Sequence, residues 1–335
     1  MERTPRRVRM KDVAAEAGVD TSLVSRLLNA DQTLSVRPET EERVMAAVRR
    51  LAYRPNTAAR TLKTARTMAL GMVIPDLSNV IYAEIARGAG DRAAAAGYVL
   101  LISGAAAEVR TEILEDRVDG LLYAVATAQS VPDLDVPGAP PAILINRRGP
   151  ASSPSVVVDD RAGVALATRY LLSLEHRRIA HVAGPRDVDT ARRRRRGYVD
   201  AMTAAGLDVP AELTVESTFD EEGGAASTAA LLRVTPRPTA IVAANSNAAV
   251  GAMAAVREAG LSVPQDVSVV GLHDIPHASY LNPALTTVRM PLAEMGGRAV
   301  DLLLGMIAGD PGGAVMVTTP PELIVRASCG PPAGR

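Results

Sequence analysis

The sequence predicts a small helical N-terminal domain followed by a larger α/β body. Residues 1–66 carry 14 Lys and Arg against 8 Asp and Glu, whereas the rest of the chain carries 23 against 29. This neutral chain of 335 residues is therefore divided into a basic head and an acidic body. Apolar residues recur at helical spacing in the head, and the body alternates short apolar runs with helical segments, which is typical of parallel sheets.

The composition excludes several classes of protein. Hydrophobic residues make up 47% and charged residues 22%, which excludes wholesale disorder. A single cysteine, Cys329, allows no intrachain disulfide and predicts a cytoplasmic protein, associated with the nucleoid if it binds DNA. No uncharged apolar stretch is long enough to cross a bilayer, so a membrane is not an expected partner. A basic head on an acidic body indicates binding of a polyanion such as nucleic acid.

Three short helices are predicted in the head. The first, residues 11–17, stops at Gly18, a typical helix C-terminal residue. The second, residues 21–28, has Asp20 as its N-cap, and the third begins at Pro38. The second helix carries an apolar stripe and an opposite polar face with Thr21, Ser22, Ser25 and Arg26. Periodicity alone leaves two interpretations: a DNA-reading helix-turn-helix, or a three-helix scaffold without a nucleic-acid role.

The residues of the head favour the first interpretation. KDVAAEAGVDTSLVSRLLN, residues 11–29, closely resembles the DNA-binding head of the lactose/galactose repressor family (LacI/GalR), and the resemblance extends to residue 56. It implies that the second helix lies in the major groove, with Thr21, Ser22 and Arg26 reading base edges and Arg26 suited to guanine. Ser25 and Asn29 match positions that contact phosphate or pack against the head.

The segment at residues 57–66 joins the head to the body. Its first part, TAARTLK, has helical character, but the segment taken alone is typical of a plain linker. By the resemblance it is the hinge, and Leu62 matches the apolar wedge that enters the minor groove and kinks DNA.

The body is predicted to contain two doubly wound parallel-sheet lobes. The predicted strands are Met68–Ile74, Tyr98–Ile102, Gly120–Tyr123, Ala142–Ile145, Ile179–Val182, Ala240–Ala243 and Val267–Val270. The predicted helices are Ile81–Ala96, Ala107–Arg117, Arg161–Leu174, Asp187–Ala205, Glu221–Arg233, Ala248–Ala259 and Leu292–Ala308. The proline-bearing stretch RRGPASSPS, residues 147–155, is predicted to mark the boundary between the lobes.

The body also resembles the same family, in segments such as IPDLSNVIYAEIARGAGDRAAAAGY and VREAGLSVPQDVSVVG. The resemblance implies a fold like that of periplasmic binding proteins. The expected domains are a helix-turn-helix head at 1–56, a hinge at 57–66 and an effector-binding and dimerisation body at 67–330. Within the body, lobe one is expected at about 67–158 and 289–318, and lobe two at about 159–288 and 319–330.

Ligands of open parallel sheets bind beyond the carboxyl ends of the strands. The predicted ligand-binding residues are Asp76, Ile81, Asn146, Arg194, Asn245, Ser246 and His273. By the resemblance, Arg194 and Asn245 contact the effector. Asn146, Ser246 and His273 stand where sugar-binding members often have Asp, and Ile81 where an aromatic ring often stacks. These departures favour an anionic or otherwise non-sugar effector. The alternatives are that other cleft residues supply the missing sugar contacts, or that the pocket is degenerate.

The sequence therefore predicts a regulator, most simply a repressor, that binds a palindromic operator in double-stranded DNA as a homodimer under the control of a small-molecule effector. No cofactor or metal is expected: His273 and His277 have metal-ligand spacing, but Pro276 interrupts any helix between them. No catalytic residues were identified, so an enzyme is not expected. The alternatives are a solute-binding protein without a DNA role, and an enzyme of sugars or nucleosides.

Overall fold

The computed structural model describes residues 8–28, 33–53, 66–104, 117–124, 134, 136–150 and 153–333. The chain divides into two compact units, Met1–Thr67 and Met68–Arg335. Within the described ranges, no helix is both long and apolar enough to cross a membrane.

The first unit contains three helices: α1 (Met10–Ala17), α2 (Thr21–Leu28) and α3 (Pro38–Arg50). Gly18 ends α1 in the left-handed conformation, with φ of 63°, and the N–H of Val19 then reaches back 3.0 Å to the carbonyl of Ala14. The Asp20 carboxylate accepts the N–H of Ser22 at 2.7 Å at the start of α2. The turn between the first two helices is therefore short and bonded at both ends.

A small apolar core holds these helices together. Its buried members come from all three helices and the segment after them: Val13, Ala14, Ala17, Val24, Val44, Ala47 and Tyr53. Arg43 on α3 donates from Nε to the carbonyl of Ala17 at 3.2 Å, which satisfies one carbonyl at the end of α1. The packing uses one face of α2 and leaves its polar face exposed.

The second unit contains two six-stranded sheets. The first sheet has the order β11-β5-β4-β3-β1-β2, and all of its neighbouring strands are parallel. Its strands are β1 (Ala69–Ile74), β2 (Val99–Gly104), β3 (Gly120–Tyr123), β4 (Ala142–Ile145), β5 (Ser155–Val157) and β11 (Ala314–Met316). Two helices pack on this sheet, α4 (Val80–Ala95) and α9 (Leu292–Ile307), and together they form lobe one.

The second sheet has the order β12-β10-β9-β8-β6-β7 and is parallel except for its edge strand β12. Its strands are β6 (Ile179–Ala183), β7 (Thr214–Glu216), β8 (Ala240–Ala243), β9 (Ser268–Leu272), β10 (Thr286–Arg289) and β12 (Glu322–Ile324). Its helices are α5 (Asp160–Ser173), α6 (Asp189–Ala204), α7 (Glu221–Leu231) and α8 (Ser246–Glu258). This sheet and its helices form lobe two.

The chain crosses between the sheets after β5, after β10 and again between β11 and β12. The predicted boundary at residues 147–155 is wrong. That stretch joins β4 to β5, which are adjacent parallel strands of one sheet, and the first crossing comes only after β5. Prolines and small polar residues mark any exposed connection, so they did not identify which connection changes lobes.

Glycines allow the helices of lobe one to pack closely. A Cβ on Gly88 of α4 would lie 1.9 Å from the carbonyl oxygen of Ala293, and one on Gly296 of α9 would lie 2.1 Å from that of Ile85. Both positions therefore require glycine for helix–helix contact. Of the predicted helices, the one at Ala107–Arg117 lies, apart from Arg117, outside the described residues.

Candidate functional site

The exposed face of α2 carries most of the residues predicted to contact DNA. Thr21, Ser22 and Arg26 are exposed and Ser25 is half-buried. Hydrogen bonds from the hydroxyl and backbone N–H of Ser22 lower the pKa of the Asp20 carboxyl, so Ser22 also takes part in the helix cap. Arg26 donates from Nη2 to the hydroxyl of Thr33 at 3.1 Å. Asn29 and Leu62 lie outside the described residues.

In the body, the carboxyl ends of the two sheets face each other and form a cleft. One apolar cluster includes residues of both lobes, such as Ile145 from lobe one and Leu272 from lobe two. The backbone N–H of Arg148 donates to Asp189 at the start of α6, 3.1 Å across the cleft. A cavity of about 20 Å³ lies at one side of the cleft, where Ile81 and His273 line it together with Met290 and Leu292. Such a space holds about one water molecule.

A fully buried carboxylate lies at the centre of the lobe-two wall of the cleft. Asp160, the first residue of α5, accepts a hydrogen bond at 2.7 Å from Nε of Arg194 and a further, short one from Nη1 of Arg193. Burial would raise the pKa of Asp160, but Arg194 and Arg193 outweigh it, and the pKa lies below its usual value. Nε of Arg193 is also bonded to Asp189 at 3.0 Å. Two arginines thus face two carboxylates.

The other nitrogens of Arg194 are also engaged. Nη1 donates to the carbonyl of Ala244 at 3.0 Å, and Nη2 lies 3.4 Å from Nε2 of His273. The guanidinium carbon lies 5.5 Å from the centre of the Phe219 ring, within the range of a cation–π contact. Arg194 is 2% exposed, and each of its three nitrogens has a partner in lobe two.

The side chains of Asn245 and Ser246 also form their hydrogen bonds within lobe two. Oδ1 of Asn245 accepts the N–H of Ala248 at 2.9 Å and so caps α8, while its Nδ2 donates to the carbonyl of Phe219 at 2.7 Å. The hydroxyl of Ser246 donates to the carbonyl of Leu272 at 3.0 Å and is also close to that of His273. Both side chains connect backbone segments of lobe two.

His273 differs from its neighbours in lobe two. It follows β9 with φ of 74° and is 2% exposed. Burial and the charge of Arg194 lower its pKa to about 3, so the ring is neutral at neutral pH. Nε2 faces the N–H of Arg194, which favours the tautomer that carries its proton on Nδ1. Nδ1 is buried and has no hydrogen-bond partner among the described residues.

The lobe-one wall is built from the residues that follow β4 and from α4. Asn146 is 3% exposed, and its Oδ1 is buried without a partner in the described part of the chain. Arg147 is 6% exposed, and its Nη1 is likewise without a described partner. Burial lowers the pKa of the Arg147 guanidinium and raises the pKa of the nearby Tyr82 phenol, while the attraction between these two side chains opposes both shifts.

The structure therefore brings six of the seven predicted ligand residues to the facing ends of the sheets, all of them buried: Ile81, Asn146, Arg194, Asn245, Ser246 and His273. Asp76 is exposed, and its carboxylate accepts the N–H of Ser78 at 2.8 Å. His273 is buried whereas His277, four residues later, is exposed, so the two histidines do not form one site. No group of three or more potential metal-binding side chains occurs within the described ranges.

Sequence reasoning missed three residues of the cleft: Tyr82, Asp160 and Phe219. Arg147 follows a predicted strand and was expected near the cleft, but not as a ligand residue; Phe219 is the one phenylalanine of the chain, which is a weak signal. Asp160 carried none, because an acidic residue at the start of a helix is common for reasons of the helix dipole alone.

Two family models match this chain. Residues 9–56 match the bacterial regulatory proteins of the lacI family, and residues 168–329 match a periplasmic binding protein-like domain. The chain is 34% identical to the HTH-type transcriptional regulator MalR of Streptomyces coelicolor, over 96% of each chain. It is 36% identical to the ribose operon repressor of Escherichia coli, over 89% of this chain and 92% of the repressor.

The chain belongs to the LacI family. Among solved structures, the lac repressor dimer bound to operator and an anti-inducer superposes with a TM-score of 0.82 at 29% identity, covering 96% of this chain and 99% of the repressor. The predicted head, the two-lobed body and their family are confirmed. As a LacI-family member, the chain is a DNA-binding transcriptional regulator with an effector-binding body, and a solute-binding protein without a DNA role is not favoured.

Proposed function

We propose that this LacI-family chain represses transcription as a homodimer on a palindromic operator, under the control of a small molecule held between its lobes. The observation that carries the proposal is a packed three-helix head with an exposed polar face on α2, in the same chain as a two-lobed body with a buried polar cleft. Since the relatives it matches are regulators, we propose no catalytic activity for it.

The DNA contacts are assigned by exposure and chemistry. Thr21, Ser22 and Arg26 project from α2 and would read base edges in the major groove, with the Arg26 fork on a guanine. Ser25 is half-buried and would contact phosphate or support the head, as would Asn29. Leu62 would wedge between base steps in the minor groove.

The experiment that tests this function is selection of bound duplexes from a random DNA pool by the full chain. Arg26→Ala should then weaken binding to the selected operator by about 5- to 150-fold, the value of one bidentate base contact, and relax the preference at one base pair. Arg177→Ala removes the same charge from an exposed site on the body and is the matched control. A pool without a preferred sequence, or equal losses on operator and random DNA, contradicts the assignment.

The wedge has its own test. Leu62→Ala should weaken binding to the operator much more than binding to random DNA, because only a kinked site gains from the inserted side chain. Fluorescence anisotropy with both duplexes measures the two affinities. Equal losses on the two duplexes would reject the wedge.

A groove on lobe two supports the dimer. It has a volume of about 560 Å³, is lined by Val250, Met253 and Leu281, and borders Tyr280, which is 86% exposed. We assign it to a second copy of this chain, because the lac repressor with which it superposes was solved as a dimer on its operator. Sedimentation velocity should give a dimer for the wild type and a larger monomer fraction for Tyr280→Asp. A fully dimeric variant would place the interface elsewhere.

Effector and operator binding would be linked through the cleft. The cavity lined by Ile81 and His273 is about 20 Å³, so a ligand of sugar size at that position requires the lobes to move apart. A ligand that prefers one arrangement of the lobes changes operator affinity reciprocally, typically by about 1–3 kcal/mol. Operator affinity measured with and without a candidate effector tests the linkage. An effector that binds without changing operator affinity would contradict it.

A further inference from the structure

Arg147 is a buried cation without a carboxylate partner. Its side chain follows β4 in the lobe-one wall and is 6% exposed. In the described part of the chain it makes no ion pair; its side chain interacts with the Tyr82 phenol, but its Nη1 has no hydrogen-bond partner. Burial of an unpaired charge is costly, and proteins normally provide a partner for it.

The other arginines of the cleft are neutralised within lobe two. Arg193 and Arg194 share Asp160, and Arg193 also reaches Asp189. The charges of these two arginines and two carboxylates cancel, and the lowered pKa of His273 leaves its ring neutral. Asp76 is exposed to solvent. The described buried residues of the cleft therefore carry a net positive charge, and Arg147 is the arginine without an ion pair of its own, although the charge of Asp189 acts on it.

The remaining open hydrogen-bonding positions form a pattern. Nη1 of Arg147 in lobe one, and Nδ1 of His273 and Nη2 of Arg193 in lobe two, are buried groups without described partners. The two arginine nitrogens are donors, and Nδ1 of His273 is also a donor because its Nε2 faces an N–H of Arg194. Oδ1 of Asn146 is a buried acceptor without a described partner. Arg194 is already engaged within lobe two: each of its three nitrogens has a partner there, and one N–H on each of Nη1 and Nη2 remains beyond these contacts.

We propose that the effector carries a carboxylate or phosphate group and that Arg147 binds it. This inference rests on the proposed function and specifies the chemistry of its effector. The anionic group accepts from Arg147 in lobe one and faces the Nδ1–H of His273 in lobe two, while Asn146 accepts an N–H or O–H of the same ligand. An anion placed between donors of opposite lobes links the positions of the lobes to its binding.

The test uses the full chain and four probes at constant ionic strength: inorganic phosphate, glucose, glucose 6-phosphate and glucuronate. Thermal unfolding and calorimetry should give saturable binding of phosphate and of at least one sugar anion, and none of glucose. Arg147→Met should weaken anion binding by about tenfold or more, the usual value of a hydrogen bond to a charged group. Arg148→Met, the exposed neighbour, should bind as the wild type does.

The same variant tests whether Arg147 has a structural role instead. Without ligand, Arg147→Met should unfold at the wild-type temperature or above it, because it removes an unpaired buried charge. A clear fall in its unfolding temperature overturns the proposal. So does unchanged anion binding by Arg147→Met, stronger binding of glucose than of either sugar anion, or a wild type that binds none of the anions.

Operator binding measured on the same samples separates this inference from the proposed function. A chain that selects an operator but does not bind the anions overturns the inference alone, whereas a chain that selects no DNA sequence overturns the proposed function. Among sugar anions, preference for glucose 6-phosphate identifies a phosphate group and preference for glucuronate a carboxylate.

Discussion

The two walls of the cleft are equally buried but differ in how their polar groups are bonded. In the lobe-two wall, Arg194, Asn245 and Ser246 direct their polar atoms into their own lobe. In the lobe-one wall, Asn146 and Arg147 keep buried polar atoms without described partners. Burial at a cleft therefore does not by itself identify a ligand contact. The bonded wall supports the fold of lobe two. A ligand has polar groups to satisfy at Asn146 and Arg147 in the other wall and, in lobe two, at Nδ1 of His273 and Nη2 of Arg193.

The largest expected effect comes from breaking the bonded wall. Arg194→Met leaves the buried Asp160 with Arg193 alone and should lower the free energy of unfolding by about 3–5 kcal/mol, as for other broken buried ion pairs. Urea unfolding of the body measures this. Arg196→Met is the control on the same helix. The Arg196 side chain is 71% exposed and its ion pair with Asp200 is long, at 3.7 Å, so its loss should change stability little. If the two variants lose equal stability, the ion pair between Arg194 and Asp160 does not support the fold of lobe two.

The next effect is on the pH dependence of stability. The pKa of His273 is about 3 in the folded chain against 6.5 for the ordinary residue. The unfolded chain therefore binds a proton that the folded chain rejects, so stability is fully present above about pH 6.5 and falls as the pH is lowered towards 3. His273→Asn, which tolerates the positive φ, should remove about 1 kcal/mol per pH unit from this slope. Unfolding midpoints at pH 7.5 and pH 4.5 measure it, and identical slopes would contradict the buried neutral ring.

A smaller loss is expected at the cap of α8. Asn245→Ala removes the acceptor for the N–H of Ala248 and the donor to the carbonyl of Phe219, and it should cost about 1–2 kcal/mol. Asn247→Ala, two residues further along the same helix, is the matched control and should have less effect. If the two alanine variants unfold alike, Asn245 does not support the fold of lobe two.

The smallest effect is predicted for the corresponding asparagine of the other wall. The side chain of Asn146 forms no hydrogen bond to the described residues, and its φ of 63° suits glycine. Asn146→Gly should therefore change the free energy of unfolding by less than about 1 kcal/mol. A loss as large as that of Asn245→Ala would show that the lobe-one wall is also a structural wall.

Much of the fold could be predicted from local pattern. The strands β3, β4 and β8 begin and end at the predicted residues, because each is a buried apolar run between polar turns. The strands β5, β7, β10, β11 and β12 were not predicted. They have three or four residues each, which is too few to show a period, and each is held in place by its neighbour in the sheet.

The sequence by itself determined the head, the alternation of the body and the location of the cleft residues at strand ends. These follow from local spacing, capping and the parallel arrangement of strands. Only the tertiary structure decided which arginine is available in the cleft. Arg194 is neutralised by Asp160, 34 residues away along the chain, and Arg147 has no such partner among the described residues. The charge of a side chain is local, but its compensation depends on which distant residue the fold brings within a few ångströms of it.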